Sequence, residues 1–405
     1  MSIRAVIASV ALLLAPAVAC ADVIAQWNEK TIASATAGGQ NPLIVSRTVA
    51  IVHTAMFDAV NSIENRYAPY AIRVSAQPAS SAEAAAATAA YTVLAALLPS
   101  QEPELEAEYS SGLGRIADGP RREAGVAVGK QVAADILARR AGDRSNISKP
   151  YRPFTSPGVY VPTTLPLAPH WGDVTPWVME RGSQFRPGPP PPLTSEQWAR
   201  DYNEVKMFGA KSNSARSGGQ TDSGRFWILV GPASWFPIVR QIADASSRSL
   251  IDNARLYALI AIATADAYVA VFDAKYAYNF WRPITAIRNG DIDGNAATSL
   301  DAAWEPLIDT PPHPEYPCAH CITSAAVATI LDAEFGTEAI SKVTMTSPTA
   351  PGVVRKWHSS KEYVDEVSAA RIYGGVHYRT SAVVGQEMGR RIAELTLGDR
   401  MRPLQ

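Results

Sequence analysis

Apolar residues return at helical spacing along most of this chain, while strand-like alternation of Val, Ile and Thr is scarce. Four Ala-rich stretches, residues 42–63, 81–98, 102–117 and 120–141, read as amphipathic helices. The pattern stops at residues 151–192, a Pro- and aromatic-rich segment containing Gly188-Pro189-Pro190-Pro191-Pro192, which reads as a long ordered connection or a linker. It resumes at 196–210, opened by a Thr194-Ser195-Glu196-Gln197 capping box, and continues at 249–281, 318–335, 361–373 and 381–397. The class these patterns allow is mainly α, with no internal repeat of fixed period.

The first residues combine Arg4, an apolar run from Ala5 to Val18 and the small residues Ala19-Cys20-Ala21, the layout of a secretory signal cleaved near Ala21. The protein is therefore expected to be secreted or periplasmic. Lipidation at Cys20 is the rival, and Ala17 stands where that pattern wants Leu. The run falls short of the roughly 20 residues of a spanning helix and no later run is expected to supply one, so no transmembrane segment is expected. Residues 22–405 suffice for two halves, 22–192 with the Pro-rich connection and 193–405. Lys and Arg number 37 against 38 acidic residues, which leaves no global field for nucleic acid or an anionic membrane. Once residues 1–21 are gone only Cys318 and Cys321 remain, too few for a disulfide framework.

Against that neutral background the local clusters of cations and imidazoles stand out. Lys275 and Arg282 lie seven residues apart, which on one helix returns them to almost the same face, and Pro283 is expected to stop that helix. Taken alone, the pair reads more readily as a snorkelling Lys and an ordinary helix-end Arg. His320 falls in the first turn of the 318–335 helix, where unpaired amides favour an anion and an imidazole can move a proton. Arg371 ends the next helix, and His377 sits on a turn after Gly374-Gly375, whose glycines allow close backbone approach to a ligand, with Thr380 or Ser381 as the following cap.

Two patterns mislead here. His313-x-Glu315 with Pro317-Cys318-x-x-Cys321 copies the letters of a zinc deaminase signature, but one residue separates halves that belong on separate helices. Cys318-x-x-Cys321 copies a thiol oxidoreductase without its βαβ context, so a plain disulfide or two packed thiols is expected. His53, His170, His358, Asp58 and Asp266 are expected to be structural, with His170 a candidate for the border of a pocket.

Together, Lys275-x6-Arg282-Pro283, Pro317-Cys318-Ala319-His320 and Ala370-Arg371-x5-His377 resemble the three-part signature of the vanadium-dependent haloperoxidase and type 2 phosphatidic acid phosphatase superfamily. HTAMFDAVNSI from His53, HWGDVTPWVM from His170 and the stretch from Phe185 resemble its secreted bacterial haloperoxidase-like branch. The resemblance implies two packed helical bundles with an oxyanion site at one end of the second. It implies His377 as vanadate ligand or phosphorylated nucleophile and His320 as acid/base. Lys275, Arg282, Arg371, Cys318 and Ala319 would hold the oxyanion. The cofactor would be vanadate for a haloperoxidase acting on halide and peroxide, and none for a phosphatase acting on a phosphomonoester. Cys318, Ala319 and Ser381 depart from the family's Ser, Gly and Asp, which leaves a third reading, a non-catalytic or redox-regulated anion-binding protein.

Overall fold

The computed structural model describes residues 22–77 and 79–404, so the expected signal segment and Cys20 lie outside the described residues. Thirteen α-helices carry the fold among those residues. The N-terminal part contains α1 (Val23–Ala37), α2 (Pro42–Glu64), α3 (Ala82–Leu97), α4 (Glu102–Gly114) and α5 (Pro120–Arg140). Then follow α6 (Glu196–Phe208), α7 (Gly218–Phe226), α8 (Phe236–Asp244), α9 (Leu250–Tyr278) and α10 (Pro283–Arg288). The last three are α11 (Ala319–Phe335), α12 (Ser360–Tyr373) and α13 (Arg379–Asp399). One antiparallel ribbon, Met345–Thr346 with Val354–Arg355, is the only sheet among the described residues. The mainly α class is the observed one.

Helices α2 and α9 form the centre, packed on each other and carrying the largest shares of the core. Both are long and apolar enough to cross a membrane by length and composition, which corrects the expectation that no later run would be. In the fold their apolar stretches are 89% and 94% buried against the other helices. Helices α1, α7 and α8 had no sequence expectation. Buried Asn28 and Thr31 interrupt the apolar stripe of α1, α7 is polar and Gly-rich, and α8 is short.

Two helix pairs pack with little side chain between them. Gly125 and Gly129 set α5 on α3, and Gly385 and Gly389 set α13 on α11. A Cβ at Gly389 would stand 2.1 Å from the Ile322 carbonyl oxygen. Ala is worth about 1 kcal/mol more than Gly within a helix, yet parting two packed backbones costs about 1–3 kcal/mol, so the clash outweighs the propensity. Gly389→Ala is expected to lower stability by about 1 kcal/mol or more, read by thermal unfolding against wild type; an unchanged or higher midpoint would show that the two helices separate freely.

The 151–192 segment is an ordered connection fastened to α9. The Asp266 carboxylate accepts the amides of Trp177, Val178 and Met179 at 2.8–2.9 Å, and Arg186 pairs with Asp273 at 2.7 Å. Asp58 on α2 accepts the amides of Tyr70, Ala71 and Ile72 in the same way. Three local expectations are corrected. Ser195 rather than Thr194 caps α6, because its hydroxyl reaches the Trp198 amide. Asn279, in the left-handed conformation, ends α9 before Pro283, which instead opens α10. Helix α13 begins after Tyr378 with no side-chain cap.

Candidate active site

Because α9 ends at Tyr278, Lys275 and Arg282 belong to different elements, and the shared helix face expected from their spacing is absent. They still meet at one end of α9, where the 313–320 loop, the first turn of α11 and the α12–α13 turn converge. A cavity of about 520 Å³ opens there, with Ala319, His320, Arg371 and His377 on its lining. His313 and Leu167 also line it, whereas Lys275, Arg282 and Cys318 stand behind the wall.

Histidine 377 is 1% exposed and its Nδ1 lies 2.6 Å from Glu315 Oε1. A carboxylate accepts there, so Nδ1 carries the proton and Nε2 keeps its lone pair. Arg282 Nη1 reaches that Nε2 at 3.4 Å and donates to the Val376 carbonyl at 2.8 Å. Glu315 also accepts the Tyr378 amide at 3.2 Å, while its Oε2 has no hydrogen-bond partner. Ser381, at the position of the family's Asp, places its hydroxyl only 3.5 Å from Nδ1. The carboxylate that orients His377 thus comes from 62 residues upstream. Sequence reasoning met Glu315 only inside the misleading zinc pattern; the signal that could have found it is the missing Asp, which demands a carboxylate from elsewhere.

Burial pushes the Glu315 carboxyl up to about 7, with Lys275 and Arg282 pulling the other way. Burial likewise holds His377, His320 and His313 well below the usual imidazole range, helped by the surrounding cations, so all three rings are neutral. Arg371 and Arg282 are drawn down to about 9 and about 10, both chiefly by burial. Lys275, Arg282 and Arg371 thus share this buried cluster with the single carboxylate Glu315 among the described residues, and burial with the neighbouring arginines holds the Lys275 amine well below the usual lysine range, a crowding of positive charge that an anion would relieve.

The cations are not equivalent. Lys275 gives its ammonium to the carbonyls of Pro314, at 3.1 Å, Glu315, at 2.6 Å, and Pro317, which uses all three hydrogens and corrects the expectation that it points at the oxyanion. Arg282 donates through Nε to the His313 carbonyl and through Nη2 to His313 Nδ1, both at 2.9 Å. His313 Nδ1 also lies 3.1 Å from the Pro314 carbonyl. Arg371 donates to the Trp227 carbonyl, and its buried Nε has no partner. The amides of Ala319 and His320 make no hydrogen bond among the described residues, as expected for the first turn of a helix.

His320 Nε2 lies 3.3 Å from the Leu229 carbonyl, which leaves Nδ1 unprotonated. Cys318 and Cys321 form a disulfide, and Cys318 Sγ accepts the Cys321 amide at 3.2 Å. Cys318 therefore has no S–H to offer, which removes it from the expected oxyanion donors and removes a thiolate from the reach of any oxidant. Gly374 and Gly375 serve packing rather than a ligand, since a Cβ at Gly375 would stand 2.5 Å from the Gly209 carbonyl oxygen. His53 is in the core beside Asn28, His170 bonds the Ser145 carbonyl away from the cavity, and His358 lies at the surface.

All of Lys275, Arg282, Ala319, His320, Arg371 and His377 fall within residues 255–405, which match the family model described as the VCPO second helical-bundle domain. Residues 255–405 thus match the second helical bundle of the vanadium haloperoxidases. Vanadium chloroperoxidase of Curvularia inaequalis is 26% identical over 307 residues, 59% of this chain, and the match spans 50% of that relative's length. Among solved structures, a bacterial vanadium-dependent iodoperoxidase is similar over 95% of this chain and 97% of its own, with TM-score 0.80 and 23% identity. The holo form of a bacterial vanadium-dependent chloroperoxidase is similar over 88% of this chain and 91% of its own, with TM-score 0.70 and 16% identity. The helical fold of these structures is thus shared along nearly the whole chain.

Proposed function

We propose that this protein binds vanadate and catalyses peroxide-driven oxidation of halide. The observation that carries the reading is the lone pair held on His377 Nε2 by the Glu315 carboxylate on Nδ1, at 2.6 Å. The unpartnered Nε of Arg371 and the free amides of Ala319 and His320 fit a tetrahedral oxyanion beside it. The vanadium chloroperoxidase and iodoperoxidase relatives favour halide chemistry over phosphate hydrolysis, and the Cys318–Cys321 disulfide suits a site exposed to peroxide.

His377 would ligate vanadate through Nε2, and Arg371 with the two amides would hold its oxygens. When bound, vanadate supplies a Lewis-acid centre that activates peroxide toward halide. His320, neutral with Nδ1 free, accepts a proton from peroxide and later returns it to a leaving oxygen. Arg282 and Lys275 act from behind the wall, fixing the 313–317 loop and adding positive potential.

Halide oxidation that rises from background on loading with vanadate, and disappears in His377→Ala, is the expected result of peroxide assays on the purified protein. Phosphomonoester hydrolysis inhibited by vanadate, with no halide oxidation, would replace this reading by a phosphohistidine phosphatase. Anion binding without either turnover would leave an anion-binding protein.

We further propose export to the periplasm or medium, supported by the apolar run after Arg4 and by a disulfide that a reducing compartment would not favour. The exported protein is expected to begin at Asp22 on N-terminal sequencing; recovery with Cys20 retained and acylated would make it a lipoprotein instead.

A further inference from the structure

We infer that the protein has a second anion site, remote from the active site, which takes a tetrahedral oxyanion of the phosphate or sulfate class. It lies where the C-terminal ends of α5 and α13 meet the turn after α2 and the long connection. A cavity of about 300 Å³ opens there, lined by Tyr70, Ile136, Arg139, Arg140, Trp177 and Arg400, with Ala71 at its edge and no carboxylate on its lining. No lining residue is shared with the active-site cavity. Trp177 is fastened to Asp266, which at roughly 1.5 Å per residue stands about 18 Å along α9 from the end of that helix at Tyr278.

A basic residue near a helix C-terminus ordinarily complements the dipole and faces water. Here three arginines from two helices distant in sequence converge on one cavity instead. Arg140 is 6% exposed, lies 3.7 Å over the Trp177 ring, and donates to Asp143 and to the carbonyls of Thr175 and Pro176, so its guanidinium is fixed. Asp143 also takes Arg47, and therefore balances only part of that charge. Arg139 donates to the Ala71 carbonyl at 3.3 Å and has no carboxylate partner among the described residues. Arg400 meets Asp399 through Nη1 at 3.2 Å, and its buried Nε has no partner. The buried Nε1 of Trp177 lacks one as well. Asp58 and Asp266, whose fields reach Arg139 and Arg140, each commit their carboxylates to three backbone amides.

Arg139 and Arg400 thus keep most of their N–H donors for something outside the chain. Planar guanidinium forks match pairs of oxygens, which favours an oxyanion over a halide. At roughly 30 Å³ for each water-sized atom, the cavity has room for about ten, enough for a tetrahedral oxyanion and its first waters. The bound anion would join α5 and the turn after α2 to the C-terminal end of the chain, adding stability by mass action.

Inorganic phosphate is the probe, titrated by calorimetry into the vanadate-free protein. Saturable binding is expected to survive in Arg371→Met and to weaken by about tenfold or more in Arg139→Gln/Arg400→Gln. That double variant should keep the wild-type thermal midpoint in phosphate-free buffer. If it does not fold, Arg139→Gln alone, held to the fold by one carbonyl, reads the same loss at threefold or more. Glycerol 3-phosphate separates the sources of the ligand: equal or weaker binding assigns the site to the free oxyanion, and tenfold tighter binding to a phosphomonoester. Phosphate binding that vanishes in Arg371→Met, or that is unchanged in Arg139→Gln/Arg400→Gln, overturns the inference and leaves the active site as the place of binding.

Discussion

Glu315→Gln is expected to cut vanadate-dependent turnover by about 10- to 100-fold, the usual cost of removing a carboxylate that orients a ligating histidine. Gln can still accept from His377 Nδ1 but brings no charge, and its NH2 group would compete for the same 2.6 Å contact in the opposite polarity. The His377 tautomer would then be mixed, and Nε2 would carry a proton in part of the population. Glu315→Asp should keep the charge with a shorter reach and recover part of the activity, which a purely space-filling role would not produce. Burial raises the Glu315 carboxyl from 4.5 to about 7, so between those values the folded state holds a proton that the unfolded chain has released. The stability contributed by that bound proton is fully present below the unfolded value and is lost as pH rises through about 7. Thermal unfolding of the vanadate-free protein from pH 4.5 to 8 should therefore show a downward component that is absent from Glu315→Gln. Identical activity and pH profiles in wild type and Glu315→Gln would return the orienting role to Ser381.

The helices were legible in the sequence because periodicity reports burial directly: the expected spans 42–63, 120–141 and 361–373 meet helices Pro42–Glu64, Pro120–Arg140 and Ser360–Tyr373. His320 in a first turn and His377 between helices also followed from local signals, a helix start and a Gly-Gly stop. The partners of those residues were not legible, since each is a long-range contact. Glu315 reaches His377 across 62 residues, and Trp227 lends its carbonyl to Arg371 across 144. Spacing suggested one anion-facing pair in Lys275 and Arg282, but an Asn in the left-handed conformation separated them, and the loop carbonyls claimed the ammonium. The departures from the family motif were visible as letters, whereas their resolution required three dimensions: a disulfide for Cys318 and a carboxylate from another loop for Ser381.

That division of labour makes opposite demands on two buried cations. Arg371→Met is expected to weaken vanadate binding by about 10²- to 10³-fold, because truncating one side of a buried charged contact typically costs 2–5 kcal/mol at 1.4 kcal/mol per tenfold. The fold should hardly notice. Arg371 has a carbonyl partner in Trp227 and an unpartnered Nε, so removing it also removes a desolvated charge that little repays. Lys275→Met should do the reverse. It strips the donors from three carbonyls, of Pro314, Glu315 and Pro317, at a site where Lys275 is fully buried, for a loss on the order of 3–5 kcal/mol in stability. Vanadate affinity of whatever remains folded would then fall only as far as the loop bearing Glu315 and the first turn of α11 have loosened. Titration calorimetry and thermal unfolding on both variants separate the two roles. A Lys275→Met protein of unchanged thermal midpoint that has lost vanadate binding would show that the ammonium turns from its carbonyls to the oxyanion, and that both cations bind it directly.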